Sequence, residues 1–141
     1  MIAPPDTLPP DFLAGPNGLL ARPAADFATL PLRPDAGTTH RIEIALTQAA
    51  RKADILTAFA RAFDMPRWFG HNWDALYDCL TDLEWLPEGQ FVVLLSGSAA
   101  REKDRITLLR LLEDACDAWQ DAGTAFHVFI DPQLLAAPTA A

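Results

Sequence analysis

The sequence feature that most constrains the fold is an unbroken apolar run, FVVLL, at residues 91–95. A strand with one solvated face alternates polar and apolar side chains, whereas a continuous run of this length is typical of a strand covered on both faces. The run follows a turn sequence, Pro87-Glu88-Gly89, and precedes a long stretch with helical periodicity. We therefore predict a buried strand in a sheet with helices packed against it.

Two more strands are predicted on either side of this run. THRIEIAL, residues 39–46, alternates apolar and polar side chains, and AFHVFID, residues 125–131, is another short apolar segment. Helical spacing fills the gaps between the strands. The resulting order, β-α-α-β-α-β with short connections, predicts an α/β fold with a small three-stranded parallel sheet packed with helices.

Three helices are predicted from apolar spacing and from capping residues. The first runs from an N-cap at Thr47 to Asp64, and the third from about Arg101 to Ala122, with Gly123 as its stop. The second follows an N-cap at Asn72. Its core-facing positions are Trp73, Leu76, Leu80 and Leu83, and those of the third helix are Leu108, Leu112, Ala115 and Trp119.

Residues 1–37 hold eight of the twelve prolines and cannot form a long regular element. We predict a proline-rich N-terminal extension over residues 1–37 and a folded domain over residues 38–141. Three apolar pieces, Phe12-Leu13, Leu19-Leu20 and residues 27–32, are too frequent for a solvated linker. Some of them are expected to dock on the body of the protein.

Composition excludes several classes of function. The formal charge of −8 and the pI of about 4.6 oppose binding to a phosphate backbone and favour a basic partner. No apolar run is long enough to cross a membrane, and the first residues lack the charge and apolar stretch of a secretion signal. We expect a cytoplasmic protein without cofactor, metal, nucleic-acid or membrane binding.

One short segment combines acids with aromatic residues. Asp74 and Asp78 are four residues apart and project from one side of the second helix, where like charges cost roughly 0.2–0.5 kcal/mol. Residues 64–88 hold six acids and one base, Arg67. Such a face is often simply solvated. Here, however, Trp68 and Phe69 stand in the preceding loop and Tyr77 flanks the acids, and aromatic residues of this kind are enriched in protein interfaces.

The segment WFGHNWDALYDCL, residues 68–80, resembles the loop and second helix of the barstar family. That pattern consists of an aromatic pair, glycine, a polar residue, asparagine, an apolar residue, Asp-Ala-Leu, an aromatic residue and aspartate. The predicted order of elements after residue 38 agrees as well. The resemblance implies an intracellular inhibitor, acting as an immunity protein or antitoxin, that plugs the active site of a small, basic, secreted ribonuclease.

The resemblance also implies roles for individual residues. Trp68 would stack in the nuclease cleft, and Asp78 would enter the phosphate-binding site as a phosphate mimic. Asp74 would pair with arginines of the enzyme, while Gly70 and Asn72 shape the loop. The full predicted partner-binding set is Trp68, Phe69, Gly70, His71, Asn72, Asp74, Tyr77, Asp78 and Asp82. The protein is expected to be a non-enzyme and a monomer when free.

Three positions depart from the family pattern. His71 stands where an acid is common, and Trp73 replaces a smaller aliphatic residue. A further family acid, aligned on Gly123, would fall at about Ala118, which carries no charge. Asp117 and Asp121 flank that position. With Glu113 they form a second acidic row, which is either a solvated face or the rim of the interface.

Other readings of the same residues remain open. The helix could bind a different basic toxin or a non-nuclease partner, because a fold does not fix the target. An enzyme would need His71 and Asp74 as an acid–base pair, but no basic cluster for substrate phosphate accompanies them. SGSAA, residues 96–100, is a weak candidate for a phosphate loop and fits a plain strand-to-helix turn. Cys79 and Cys116 lack metal-binding spacing and are expected to be reduced, packed thiols.

Overall fold

The computed structural model describes residues 16–29, 39–47 and 50–135. In chain order the elements are β1 (Gly18–Ala21), a 3-10 helix (Ala24–Thr29), β2 (Thr39–Ala45), α1 (Lys52–Ala62), α2 (Trp73–Leu80), β3 (Gln90–Ser96), α3 (Glu102–Asp121), β4 (Phe126–Ile130) and α4 (Pro132–Leu135). The strands form one sheet in the order β1-β4-β3-β2, and every neighbouring pair is parallel. None of the described helices is long and apolar enough to cross a membrane.

The predicted buried strand is confirmed as the interior of the sheet. β3 pairs with β2 on one side and with β4 on the other. Val92 and Leu94 point to one face of the sheet, Val93 and Leu95 to the other, and all four side chains are buried. Coverage of both faces is the reason for the continuous apolar run.

The sheet has four strands, so the prediction of three is wrong. The extra strand, β1, lies within the proline-rich stretch and pairs with β4 from Gly18 opposite His127 to Ala21 opposite Ile130. Leu19 enters the core beneath the helices, while Leu20 packs on the opposite face. Docking of these apolar residues is thus confirmed, and Phe12-Leu13 lies outside the described residues.

Asn17 ties this strand to the rest of the protein. Its side-chain amide donates to the carbonyl oxygens of Cys116 and Thr124, at 3.2 and 2.8 Å, and its Oδ1 accepts from the backbone N–H of Phe126 at 2.9 Å. Its backbone N–H donates to Gln120 Oε1 at 2.7 Å. The extension is therefore joined to α3, to the turn after it and to β4 through one residue.

The helices α1, α2 and α3 all pack on one face of the sheet. In the sheet, β3 lies next to β2, and β4 lies next to β3 on its other side, so the chain moves across the sheet in one direction. Because crossovers between parallel strands are right-handed, both connections place their helices on the same face. The opposite face is lined by Val92, Leu94 and Phe129. Leu20 of β1 belongs to the same face, and Phe27 of the 3-10 helix packs against it; both residues come from the proline-rich stretch. Residues 30–32 of the predicted apolar piece lie outside the described residues.

The predicted start of the first helix at Thr47 is wrong. Ala50 still pairs with Ala99 in an isolated parallel bridge, and its N–H donates to Ser98 O at 2.9 Å. These bonds hold the backbone extended, so α1 begins at Lys52, where Asp54 Oδ2 accepts from the backbone N–H of Arg51 at 3.0 Å. The predicted start of α2 at Asn72 and the predicted start and end of α3 at Arg101 and Gly123 hold to within one residue, whereas α2 ends at Leu80, before Leu83, which the apolar spacing placed on it.

Candidate partner-binding surface

The loop between α1 and α2 points its two adjacent aromatic rings in opposite directions. A turn closed by the N–H of Phe69 and the carbonyl of Pro66, 3.0 Å apart, sets their positions. Trp68 is 65% exposed, whereas Phe69 is 5% exposed and belongs to the main core. The prediction that Phe69 is an accessible anchor is therefore wrong: its ring fastens the loop to the core and leaves Trp68 at the surface.

A second tryptophan, which the sequence interpretation did not select, supports Trp68. The rings of Trp68 and Trp85 meet edge to face with centroids 6.5 Å apart. Trp85 is half-buried, and its indole N–H donates to Phe63 O at 2.8 Å. Trp68 and Trp85 are seventeen residues apart, and Trp85 follows α2 in irregular backbone. No helical or strand periodicity therefore relates the two positions, and the sequence could not predict their contact.

The residues before α2 form a compact cap. Asn72 Oδ1 accepts from the backbone N–H of Ala75 at 2.8 Å, which confirms the predicted N-cap, and its amide donates to Gly70 O at 3.3 Å. His71 takes a left-handed backbone conformation with φ 51°. Its Nδ1 lies 3.1 Å from Phe69 O, and its ring packs against Phe69. A β-carbon at Gly70 would lie 3.3 Å from the Asn72 amide nitrogen, so glycine suits this tight cap.

Helix α2 presents Asp74 and Asp78 to solvent on a rigid base. Both carboxylates are exposed, while Leu76, Cys79 and Leu80 on the opposite side are completely buried. Tyr77 is half-buried at the boundary and packs on the core. Because its other side is packed in the core, the helix cannot rotate, and the two negative charges are held one helical turn apart at the surface. This arrangement is complementary to a cluster of guanidinium or ammonium groups, which would bind these carboxylates by charge-assisted hydrogen bonds.

The predicted residues border more than one groove. Asp82 is half-buried beyond the end of α2 and lines a separate groove of about 770 Å³ with Glu84, Glu88 and Trp119. Asp74, Tyr77 and Asp78 line a different groove, of about 520 Å³, between α2 and α3. Trp68, Gly70, His71 and Asn72 lie on the loop that leads into α2.

The groove between α2 and α3 contains residues that were not predicted. Helix α3 contributes Thr107, Arg110, Leu111 and Asp114 to it. Asp117 lines another groove with Asn17 and Gly18, on the β1 side of α3. The second acidic row thus faces away from α2 at Asp117. Asp114 could have been found by noting that it lies one turn before Ala118, on the same side of the helix.

The two alternative chemistries gain no support from the local geometry. Gly97, in the SGSAA segment, has φ 103°, and a β-carbon there would lie 2.2 Å from Leu46 O. The glycine therefore serves a close backbone approach at the strand-to-helix turn. His71 directs its Nδ1 to the Phe69 carbonyl and not to Asp74. Among the described residues no group of His, Cys, Asp or Glu side chains could hold a metal ion.

Both cysteines are free and buried. Burial, and after it the nearby Asp82 and Asp78 carboxylates, raises the pKa of the Cys79 thiol. Burial, followed by Asp117 and Glu113, raises the pKa of Cys116 to about 12. A thiol is nucleophilic as the thiolate, so both side chains act as packing groups at neutral pH.

Comparison with known proteins agrees with the resemblance noted in the sequence. A search of curated proteins finds no match. The family model described as Barstar (barnase inhibitor) matches residues 39–131, which is more than half of the 141 residues. The match spans β2 to the end of β4 and includes the loop and helix that carry Trp68, Asp74 and Asp78, while β1 lies before it. The chain therefore belongs to the barstar family of barnase inhibitors.

Proposed function

We propose that this chain inhibits a small basic ribonuclease of the barnase type by occluding its active site. The observation that supports the proposal most strongly is the exposed face of α2, where Asp74 and Asp78 stand one turn apart on a helix whose other side is fully buried. An active site that binds RNA phosphates is already positively charged. Asp78 enters it in place of a phosphate, and Asp74 pairs with a neighbouring cation.

The remaining residues of the loop complete the occluding surface. Trp68 projects an exposed ring beside α2 and supplies a rigid aromatic contact to the cleft. Gly70, His71 and Asn72 hold the loop in register with the first turn of the helix. Because these groups are fixed before association, little side-chain freedom is lost on binding.

Electrostatic attraction accelerates the encounter. The chain carries a formal charge of −8, and residues 64–88 account for −5 of it, from six acids and one base. A basic ribonuclease is steered toward that face, and the repulsion between Asp74 and Asp78 is relieved on contact. In this proposal the protein acts as a monomer in the cytoplasm of the cell that makes the ribonuclease, where it protects that cell's own RNA.

The test is a capture experiment from the secreted and cellular proteins of the source. The baits are wild type, Asp74→Ala/Asp78→Ala, and a control, Asp117→Ala/Asp121→Ala, which removes the same charge from two exposed positions of α3. We expect wild type and control to retain a small basic protein whose ribonuclease activity appears only after the inhibitor is removed. Binding by Asp78→Ala alone should fall by at least about 2 kcal/mol.

Two results would contradict the proposal. Equal retention of the ribonuclease by wild type and by the α2 double variant would show that this helix is not the binding surface. Retention of a basic protein without ribonuclease activity would preserve the surface and point to a different basic toxin or a non-nuclease partner.

A further inference from the structure

The end of the acidic helix α2 is hydrogen-bonded to a tryptophan of α3. The indole N–H of Trp119 donates at 2.8 Å to the carbonyl oxygen of Leu80, the last residue of α2, across 39 positions of the chain. The last four carbonyl groups of a helix have no partner within it, so a donor from another element can tie the helix end to that element. This bond therefore joins α2 to α3 at the end of α2 that carries Asp78.

The other carbonyl groups at this end find donors within their own segment. The Thr81 hydroxyl donates to the carbonyl oxygens of Tyr77 and Asp78, at 2.8 and 3.3 Å. The N–H of Leu83 donates to Cys79 O at 3.1 Å. The final carbonyl is bonded instead to the tryptophan of a different helix, so this contact, and not the local cap, relates the end of α2 to the rest of the fold.

Trp119 is itself held by aromatic residues of the sheet. Its ring stacks on Phe126 of β4 with the planes at 11° and the centroids 6.3 Å apart, and it meets Phe91 of β3 at 5.8 Å with the planes at 35°. Both phenylalanines are buried strand residues. A donor that is packed in this way does not follow α2 if that helix shifts. The sheet therefore sets the position of the end of α2 through one N–H group.

The two acids of α2 differ in how the helix itself treats them. Asp74 lies in the first turn, beside the N-cap Asn72, where the helix dipole favours a negative charge. Asp78 lies in the last turn, where the carbonyl ends carry partial negative charge and oppose it. A donor to the final carbonyl offsets part of that charge. The turn that carries Asp78 thus depends more on outside support than the turn that carries Asp74.

We propose that Trp119 is a positioning residue for partner binding, which acts through Asp78 by fixing the last turn of α2. The inference rests on the proposed function and adds to it a residue outside the loop and helix that form the binding surface. A binding group works only when it is held to within about 0.5 Å and 10–20° of its productive geometry. Without the indole N–H, Asp78 loses that precision, whereas Trp68 and Asp74 keep theirs.

The experiment is a pair of double-mutant cycles on the full chain, with dissociation rates measured against barnase as the probe. Trp119→Phe removes the N–H and keeps an aromatic ring in the stack. Trp85→Phe is the matched control, because its indole N–H also donates to a backbone carbonyl at 2.8 Å, that of Phe63, but its ring supports Trp68. Each substitution is made in wild type, in Asp78→Ala and in Trp68→Ala.

The two indole variants should couple to different binding residues. Trp119→Phe should speed dissociation about tenfold in wild type and in Trp68→Ala, and have little effect once Asp78 has been replaced. Trp85→Phe should show the reverse pattern, with its effect lost in Trp68→Ala and retained in Asp78→Ala. A general loss of stability would not distinguish the two backgrounds, so the pattern separates positioning from a merely structural role.

Amide hydrogen exchange of the free protein provides a second measurement, which needs no partner. In Trp119→Phe the N–H of Leu83, which is bonded to Cys79 O at the end of α2, should exchange faster than in wild type. The N–H of Ala75, which is bonded to Asn72 Oδ1 at the start of the helix, should exchange as before.

The inference is overturned if Trp119→Phe leaves dissociation unchanged or speeds it equally with and without the Asp78 carboxylate, while Asp78→Ala still weakens binding. Unchanged exchange at Leu83 would overturn it as well. In either case the proposed function stands without this residue. If wild type does not bind barnase, or if Asp78→Ala binds as wild type does, the proposed function itself fails, and the role of Trp119 in binding fails with it.

Discussion

The rings of Trp68 and Trp85 meet edge to face, with their planes at 90° and their centroids 6.5 Å apart. Trp85 is tethered by its indole N–H to Phe63 O, so the exposed ring of Trp68 leans on a fixed support. Side-chain freedom that is already restricted in the free protein is not lost on binding. The pair therefore prepares Trp68 for contact with a partner.

We expect Trp68→Ala and Phe69→Ala to have opposite consequences. Trp68 is largely exposed, so its truncation should leave the free energy of unfolding nearly unchanged and weaken ribonuclease binding by at least about 2 kcal/mol. Phe69 is a core residue, and its truncation should lower the free energy of unfolding by about 3–5 kcal/mol. Urea unfolding and calorimetric titration with barnase measure the two effects. Strong destabilisation by Trp68→Ala would refute this division of roles.

The parts of the fold that the sequence predicts well are those specified locally. Asn72 as a cap and the spacing of Leu76 and Leu80 lie within one short segment, and α2 begins at the predicted cap with both leucines buried. Leu83 reaches the core as expected, although the helix has ended: a left-handed residue conformation, φ 51°, turns it inward. The apolar period located the side chain even where the helical geometry stopped.

The parts that could not be predicted depend on contacts between distant segments. β1 has only four residues, between prolines, and becomes a strand because β4 offers an open edge over one hundred residues later. The contribution of Arg110 and Asp114 to the groove likewise depends on how α3 lies against α2. Phe69 and Trp68 are adjacent and chemically alike, and only the turn at Pro66 decides which of them is buried.

Asn17→Ala should destabilise the protein although the residue lies outside the segment that matches the family. The substitution removes three side-chain hydrogen bonds and leaves the N–H of Phe126 and two carbonyl groups without this partner. We expect the free energy of unfolding to fall by about 2–3 kcal/mol in urea titrations. Asn17→Asp retains an acceptor for Phe126 but places a carboxylate oxygen against the two carbonyl oxygens that now accept from the amide, so it should cost at least as much. A neutral result for Asn17→Ala would mean that β1 contributes little to stability.

Gly97→Ala should be among the most damaging conservative substitutions in the chain. The new β-carbon would lie 2.2 Å from Leu46 O. The Leu46 backbone is held in place because its N–H donates to Ser96 O. In addition, a φ of 103° at position 97 is unfavourable for any residue with a side chain. We expect a loss of about 3 kcal/mol or more in thermal or urea unfolding.

Gly123→Ala is the matched control for this substitution. It shares a positive φ, 79°, but meets nothing within 4 Å, so it should cost only about 1 kcal/mol. Equal losses at both glycines would show that backbone conformation, and not the contact with Leu46, is what requires glycine at position 97.

Alkaline pH should lower the free energy of unfolding through the ionisation of Cys116. Burial raises the pKa of this thiol to about 12 in the folded chain, whereas its ordinary value is 9.0. The stabilisation from keeping the thiol protonated is fully present below pH 9.0 and is lost progressively as the pH rises toward 12, because only the unfolded chain releases the proton there. Urea unfolding at several pH values should show a decline that Cys116→Ala reduces by up to about 1.4 kcal/mol per pH unit. If the free energy of unfolding falls equally steeply with pH in wild type and Cys116→Ala, then Cys116 ionises as readily in the folded chain as in the unfolded one. Its thiol would then be accessible to solvent at high pH.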